Sequence, residues 1–317
     1  MPIYFPTSLP GRLGLAIALA LLLLTLVSLC FPSATHRLSL DWWLSAAGYR
    51  KQTLSLPDGV LSYREGGSGE PLLLVHGFGG DGPVTWGPVM PGLAKQWRVL
   101  APDLLWFGGS ASTARPSLLA EADALEALIR QRGLTGVRLV GVSYGGFVAL
   151  ELARRLPDRI SQLVIMSSPG MVYGEEDLRQ LLARSGAPSA DQLFVPGRSQ
   201  DVARLMAVVG SPLARAPGFV LEDVRQHYYQ GREDAMRALM RELVDGSQDY
   251  AQRFSTPLAL PVTVIWGARD DVFPLDIGQR LARRLSAPLI TIDGGTHLLP
   301  VLSAPQTLTV LQQVLRP

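Results

Sequence analysis

From residue 52 onward the chain alternates between two hydrophobic rhythms. A continuous apolar run at residues 71–75 and mainly apolar, β-prone runs at 97–101, 137–142, 161–166, 262–266 and 289–292 are separated by stretches whose apolar positions recur at helical spacing. Runs of that kind are strands buried on both faces of a parallel sheet. Between two of them, Leu118, Leu119, Ala122, Leu125, Leu128 and Ile129 line one face of a helix expected over residues 117–132. Residues 89–96, 275–285 and 304–315 also read as helices. At the start, residues 53–56 and 60–63 flank Pro57-Asp58-Gly59, a turn that predicts a hairpin. Strands alternating with helices predict an α/β fold with a doubly wound, mostly parallel sheet.

The alternation stops between residues 173 and 257, where only helix-like segments rich in Arg, Asp and Glu occur, broken by Gly and Pro. An all-helical insert at that point reads as a cap over the carboxyl ends of the strands, where open α/β sheets bind ligands. Apolar pieces of this insert, Val208-Val209 and Phe219-Val220-Leu221, are candidates for lining an apolar ligand site. The expected division is a core over 52–172, a helical cap over 173–257 and the rest of the core over 258–317, preceded by a distinct segment over 1–35.

Residues 13–30 form an uncharged, Leu/Ala-rich run between Arg12 and Phe31-Pro32. Its length is near the lower limit for a spanning helix, roughly 17–25 residues. A secretory signal has a shorter apolar region, about 7–15 residues, and a small-x-small cleavage site, whereas Ser28-Leu29-Cys30-Phe31-Pro32 is a poor one. Leu29 also spoils Cys30 as a lipid-attachment site. The run is therefore expected to be a transmembrane helix, with a cleaved signal as the alternative. In either case the bulk of the chain is expected outside the cytoplasm. Beyond it, Trp42 and Trp43 either sit at the membrane–water boundary, which indole favours, or cap the core.

Charge changes the picture little. The chain has 317 residues, with 29 basic and 27 acidic, and no basic patch interleaved with aromatics, so nucleic acid is not an expected partner. One cysteine excludes an intrachain disulfide or a Cys-rich metal site. Four histidines without an H-E-x-x-H pair argue against a catalytic zinc. No metal or cofactor is expected.

Candidate chemistry gathers at strand ends. Gly141-Val142-Ser143-Tyr144-Gly145 ends an apolar run and precedes a helix-compatible one, the context in which G-x-S-x-G exposes a nucleophilic serine on a tight turn. Serine needs a base. His36 is juxtamembrane, His227 lies in the insert, and His76 is in a Gly-rich loop that it is expected to shape. His297 follows the last strand in Asp293-Gly294-Gly295-Thr296-His297 and is the candidate base. An acid to hold the imidazole comes from Asp270 or Asp271 after the 262–266 run, and the chemistry of the two residues does not choose between them. Asp103 also ends a strand but precedes the serine, and reads as structural. His76-Gly77-Phe78-Gly79-Gly80 can bring backbone N–H groups close to a substrate. The amides of Phe78 and Tyr144 are the candidate oxyanion donors.

Taken in order, His76–Gly80, Gly141-Val142-Ser143-Tyr144-Gly145, Gly267-Ala268-Arg269-Asp270 and Gly295-Thr296-His297 resemble the α/β-hydrolase superfamily over about residue 52 to the C-terminus. The spacing from Gly267 to Pro274 is similar to the family's acid loop, which implies Asp270 as the acid. Residues 101–108 and 272–275 resemble a lipase/esterase-like branch that includes monoacylglycerol lipase-like proteins. The resemblance implies hydrolysis of carboxylic esters, lipid-like ones among them, through a Ser143–His297–Asp270 triad and an acyl-enzyme. Carbon–carbon bond hydrolysis of the meta-cleavage-product type uses the same fold and triad. It would call for a polar cap pocket binding a second carboxylate, with Arg179, Arg184 and Arg204 as candidates. A non-catalytic, membrane-tethered binding protein is the third reading.

Overall fold

Apolar runs become strands here because both faces of the sheet are covered. The computed structural model describes residues 32–315 together with Leu13, Gly14 and Ile17. Its nine-stranded sheet has the order β1-β2-β4-β3-β6-β7-β8-β9, with β5 beside β2. The strands are β1 (Arg50–Leu56), β2 (Gly59–Gly66), β3 (Pro71–Val75), β4 (Arg98–Pro102), β5 (Ala111–Ser112), β6 (Val137–Val142), β7 (Ile160–Met166), β8 (Val262–Gly267) and β9 (Leu289–Ile292). From β4 to β9 all neighbours are parallel, while β1, β2 and β5 pair antiparallel at one edge. Leu56 faces Gly59 across the hairpin expected from Pro57-Asp58-Gly59.

Side chains alternate between two cores. Leu73 and Val75 of β3, Leu139 of β6 and Ile165 of β7 enter one cluster. Leu72, Leu74, Val140 and Val164 enter the other. A one-residue slip of any central strand would exchange these sets. On the first side lie α4 (Leu118–Gln131) and α5 (Tyr144–Arg155), and α12 (Leu275–Leu285) adds Ile277 and Leu281. On the second lie α1 (Pro32–Ala46), α2 (Gly82–Trp86), α3 (Met90–Leu93), α13 (Leu299–Leu302) and α14 (Ala304–Val314), represented there by Leu44, Trp86, Met90, Leu299 and Leu311. The helix expected over residues 89–96 is cut to the single turn of α3, and α2 precedes it as a separate short helix. Pro88, which lacks an amide hydrogen, lies between the two helices and keeps them from joining into one.

Between β7 and β8 the chain is helical, as the break in rhythm predicts: α6 (Glu175–Ser185), α7 (Ala190–Phe194), α8 (Ser199–Val208), α9 (Gly218–Tyr228), α10 (Glu233–Asp245) and α11 (Ser247–Arg253). Among the described residues no helix is long and apolar enough to cross a membrane. The expected spanning segment at residues 13–30 lies, apart from Leu13, Gly14 and Ile17, outside the described residues.

Sequence periodicity does not predict α1. Its inner face carries Ser33, Arg37 and Leu44, and polar contacts fix it. Arg37 pairs with Asp81, Arg64 of β2 pairs with Asp41, and the Ser33 N–H donates to Asp223 Oδ2 of α9 at 2.7 Å. Trp42 and Trp43 do not cap the core: they are 73% and 40% exposed, while Leu44 is fully buried.

Candidate active site

Strand β6 delivers Ser143 at a sharp corner into α5. Its backbone stands at φ 53°, ψ −123°, a costly conformation for a residue with a side chain. Glycine is required on both sides. A Cβ on Gly141 would come within 2.4 Å of Gly145 O, and one on Gly145 within 2.3 Å of His76 O. The Ser143 N–H donates to Met166 O of β7 at 2.9 Å, tying the corner to the sheet.

Loops after β8 and β9 bring the partners across. His297 Nε2 lies 3.0 Å from Ser143 Oγ. His297 Nδ1 lies 2.9 Å from Asp270 Oδ2 and 3.1 Å from Oδ1. The His297 and Asp270 side chains are 6% and 0% exposed. Asp270 Oδ1 also accepts the amides of Val272 and Phe273 at 3.0 and 2.9 Å, which fixes the carboxylate's orientation. Asp271 is exposed, so geometry separates the two acids that their chemistry alone leaves open.

Beside Ser143 runs the His76–Gly80 loop. A Cβ on Gly77 would lie 3.1 Å from Ser143 Cβ, so this backbone passes close to the hydroxyl. Tyr144 is the first residue of α5, where amides have no intrahelical acceptor. Among the described residues, neither its N–H nor that of Phe78 donates to a loop or turn carbonyl. The N-terminus of α5 adds a potential favourable to negative charge beside Ser143. The Phe78 ring packs edge-on against Tyr144 and Phe107, at centroid distances of 5.6 and 5.2 Å.

His76 is fully committed. Its Nδ1 lies 2.7 Å from Gly77 O, and Nε2 accepts the Leu104 N–H at 2.8 Å. Complete burial pulls its pKa down to about 4, which keeps the ring neutral and shaping the loop. The carboxylate of Asp103 accepts the amides of Gly82 and Gly109 at 3.0 and 2.8 Å. Burial, then the neighbouring Asp81, push its pKa up. It ties the start of α2 to the turn at Gly109.

Over Ser143 lies a partly open cavity lined by Phe78, Phe147, Leu178, Leu181, Phe194, Met240 and other mainly apolar side chains. Glu175 is the one charged residue among its lining residues. The cap pieces expected from sequence do not line it. Val209 and Leu221 are buried elsewhere, and Phe219 is 55% exposed. Sequence reasoning missed the lining residues of α6 and α10. The available signal is the spacing of Met236, Leu239, Met240 and Leu243 on one face of α10. Arg179, Arg184 and Arg204 are also absent from the cavity. Arg179 pairs with Glu176, Arg204 with Asp201, and Arg184 reaches the Asp271 carbonyl.

Comparison with known proteins places this geometry in context. Residues 70–303 match the family model described as alpha/beta hydrolase fold. An uncharacterised protein of Mycobacterium tuberculosis is 28% identical over 227 residues, covering 68% of this chain and 65% of that protein. The chain therefore spans just under two thirds of that relative's length. A pimeloyl-[acyl-carrier protein] methyl ester esterase of Neisseria meningitidis is 27% identical over 269 residues, or 83% of this chain and 78% of the relative. The crystal structure of a membrane phospholipase A, a bacterial virulence factor, superposes with a TM-score of 0.75 at 23% identity, covering 96% of this chain and 97% of that one. That likeness is one of fold.

Proposed function

The chain belongs to the α/β-hydrolase fold family, and on that premise we propose that it is a serine hydrolase of carboxylic esters with apolar acyl groups. One observation carries the reading: Ser143 Oγ, His297 Nε2 and the Asp270 carboxylate form a continuous hydrogen-bonded line opening into an apolar cavity. Ser143 attacks the acyl carbon while His297 takes its proton. Asp270 holds Nδ1–H and stabilises the imidazolium. The tetrahedral oxyanion is met by the amides of Phe78 and Tyr144. His297 then protonates the leaving alcohol, and water repeats the sequence on the acyl-enzyme. The meningococcal relative is a methyl ester esterase, which supports ester chemistry.

Carbon–carbon hydrolysis of a carboxylate-bearing diketone fits less well. The lining offers no cationic side chain to bind the second carboxylate, and an uncompensated buried charge is costly. A membrane tether at residues 13–30, with the catalytic domain outside the cytoplasm, belongs to the same proposal and rests on that run's uncharged composition.

The test is hydrolysis of p-nitrophenyl esters of increasing acyl length by wild type and Ser143→Ala. Turnover that rises with chain length and vanishes in the variant is expected. Turnover surviving in the variant would refute the assignment of Ser143.

A further inference from the structure

Large apolar side chains are exposed in few places among the described residues. Beyond Leu13 and Ile17 they are Leu38, Trp42 and Trp43 on α1, Leu213 and Phe219 in the cap, and Val301 and Leu302 on α13. Leu38 is 70% and Trp42 73% exposed, and their four-residue spacing puts them on one face of α1. No carboxylate interrupts that face. The exposed positions are Ala34, His36, Leu38, Ser39, Trp42, Trp43, Ser45 and Ala46, and the exposed Arg50 and Lys51 follow. Asp41, the one acid of α1, is half-buried against Arg64.

The face cannot rotate inward. Arg37 is paired with the buried Asp81, the Ser33 amide is held by Asp223, and the Tyr49 hydroxyl donates to Met90 O at 2.7 Å. Phe219 stands one turn before Asp223 on α9. It therefore carries the apolar rim onto the cap, beside the end of α1 where the chain arrives. What arrives is the uncharged apolar run at residues 13–30, one residue before Pro32.

We propose that the outer face of α1, with Phe219 beside it, lies in the headgroup region of a phospholipid bilayer. Indole favours the membrane–water boundary. An amphipathic helix with apolar and basic positions and no exposed acid is suited to lie in that plane. Arg50 and Lys51 meet anionic headgroups there. This contact is separate from any spanning segment and does not depend on the chemistry at Ser143.

Tryptophan quenching tests it directly, because Trp86, Trp97, Trp106 and Trp266 are all buried and lipid reaches only Trp42 and Trp43. The full chain carrying Ser143→Ala, so that lipid is not consumed, is reconstituted in phosphatidylcholine–phosphatidylglycerol vesicles. The lipids are brominated either near the headgroup or at the chain end. Stronger quenching by headgroup-proximal bromine is expected, and its loss in Trp42→Phe/Trp43→Phe. Three results would each overturn the proposal: a chain that does not float with the vesicles, emission that bromine leaves unquenched, or quenching that persists in the double variant. Unquenched emission with a dimer by light scattering would assign the face to a second copy of the chain.

Discussion

Asp270 and Asp271 are adjacent in sequence and opposite in environment. Asp270 is buried, accepts two backbone amides and touches His297, whereas Asp271 is exposed to solvent. In Asp270→Asn the amide donates to His297 Nδ1 and leaves the proton on Nε2, the tautomer that cannot accept from Ser143. A loss in kcat of roughly 10⁴-fold is expected, the scale of such a change in a triad. Asp271→Asn should turn over as wild type does. Steady-state kinetics on the two variants checks the pair, and comparable losses in both would contradict the geometry.

Elements set specificity and stability around these residues. Helices α6 and α10 supply the apolar wall, with Leu178 half-buried on α6 and Met240 buried on α10. Leu178→Trp fills the cavity. It should lower kcat/KM for long acyl chains roughly 10–100-fold, the range in which a pocket discriminates by size, and leave the shortest ester nearly unchanged. A uniform loss across chain lengths would place the acyl group elsewhere.

Helix α4 presents a different feature, the fully buried Glu121. Its Oε2 accepts the Leu105 N–H at 2.7 Å, Oε1 has no partner among the described residues, and burial raises its pKa well above the ordinary value. Once pH exceeds the ordinary carboxyl range the unfolded chain loses this proton while the folded chain keeps it. The contribution to stability is therefore full at low pH and declines as pH rises. Glu121→Gln retains the acceptor for Leu105 and removes the titration. Its stability relative to wild type, read from urea unfolding across a pH series, should grow with rising pH. A difference independent of pH would show that Glu121 is ionised in the fold.

At the scale of the whole molecule, the sheet and the positions of Ser143, Asp270 and His297 were legible because each depends on local signals. Strands β3, β6 and β9 and helix α12 fall where mainly apolar runs and helical spacing place them. Ser143 and His297 lie at strand ends marked by glycine. What stayed hidden depends on long-range partners. Helix α1 is polar on its inner face and is held by Asp81, Arg64 and Asp223, residues far away in sequence. The cavity lining depends on which face each cap helix turns toward Ser143. Apolar content alone points to Phe219, which faces outward, and overlooks Met240.

The same contacts join the parts of the molecule. Helix α9 meets the start of α1 through Asp223. The adjoining Tyr229 hydroxyl stands 2.6 Å from where a Cβ on Gly79 would lie, so this segment spans from the incoming chain to the proposed oxyanion loop. The central claim, that Ser143 is a nucleophile activated at the base of an acyl cavity, is tested most directly by covalent capture. Wild type and Ser143→Ala are treated with a long-chain alkyl fluorophosphonate and mapped by peptide mass spectrometry. The account predicts one adduct, on Ser143, absent from Ser143→Ala and strongly slowed in His297→Ala. An adduct on another residue, or folded wild type that stays unlabelled, would contradict it.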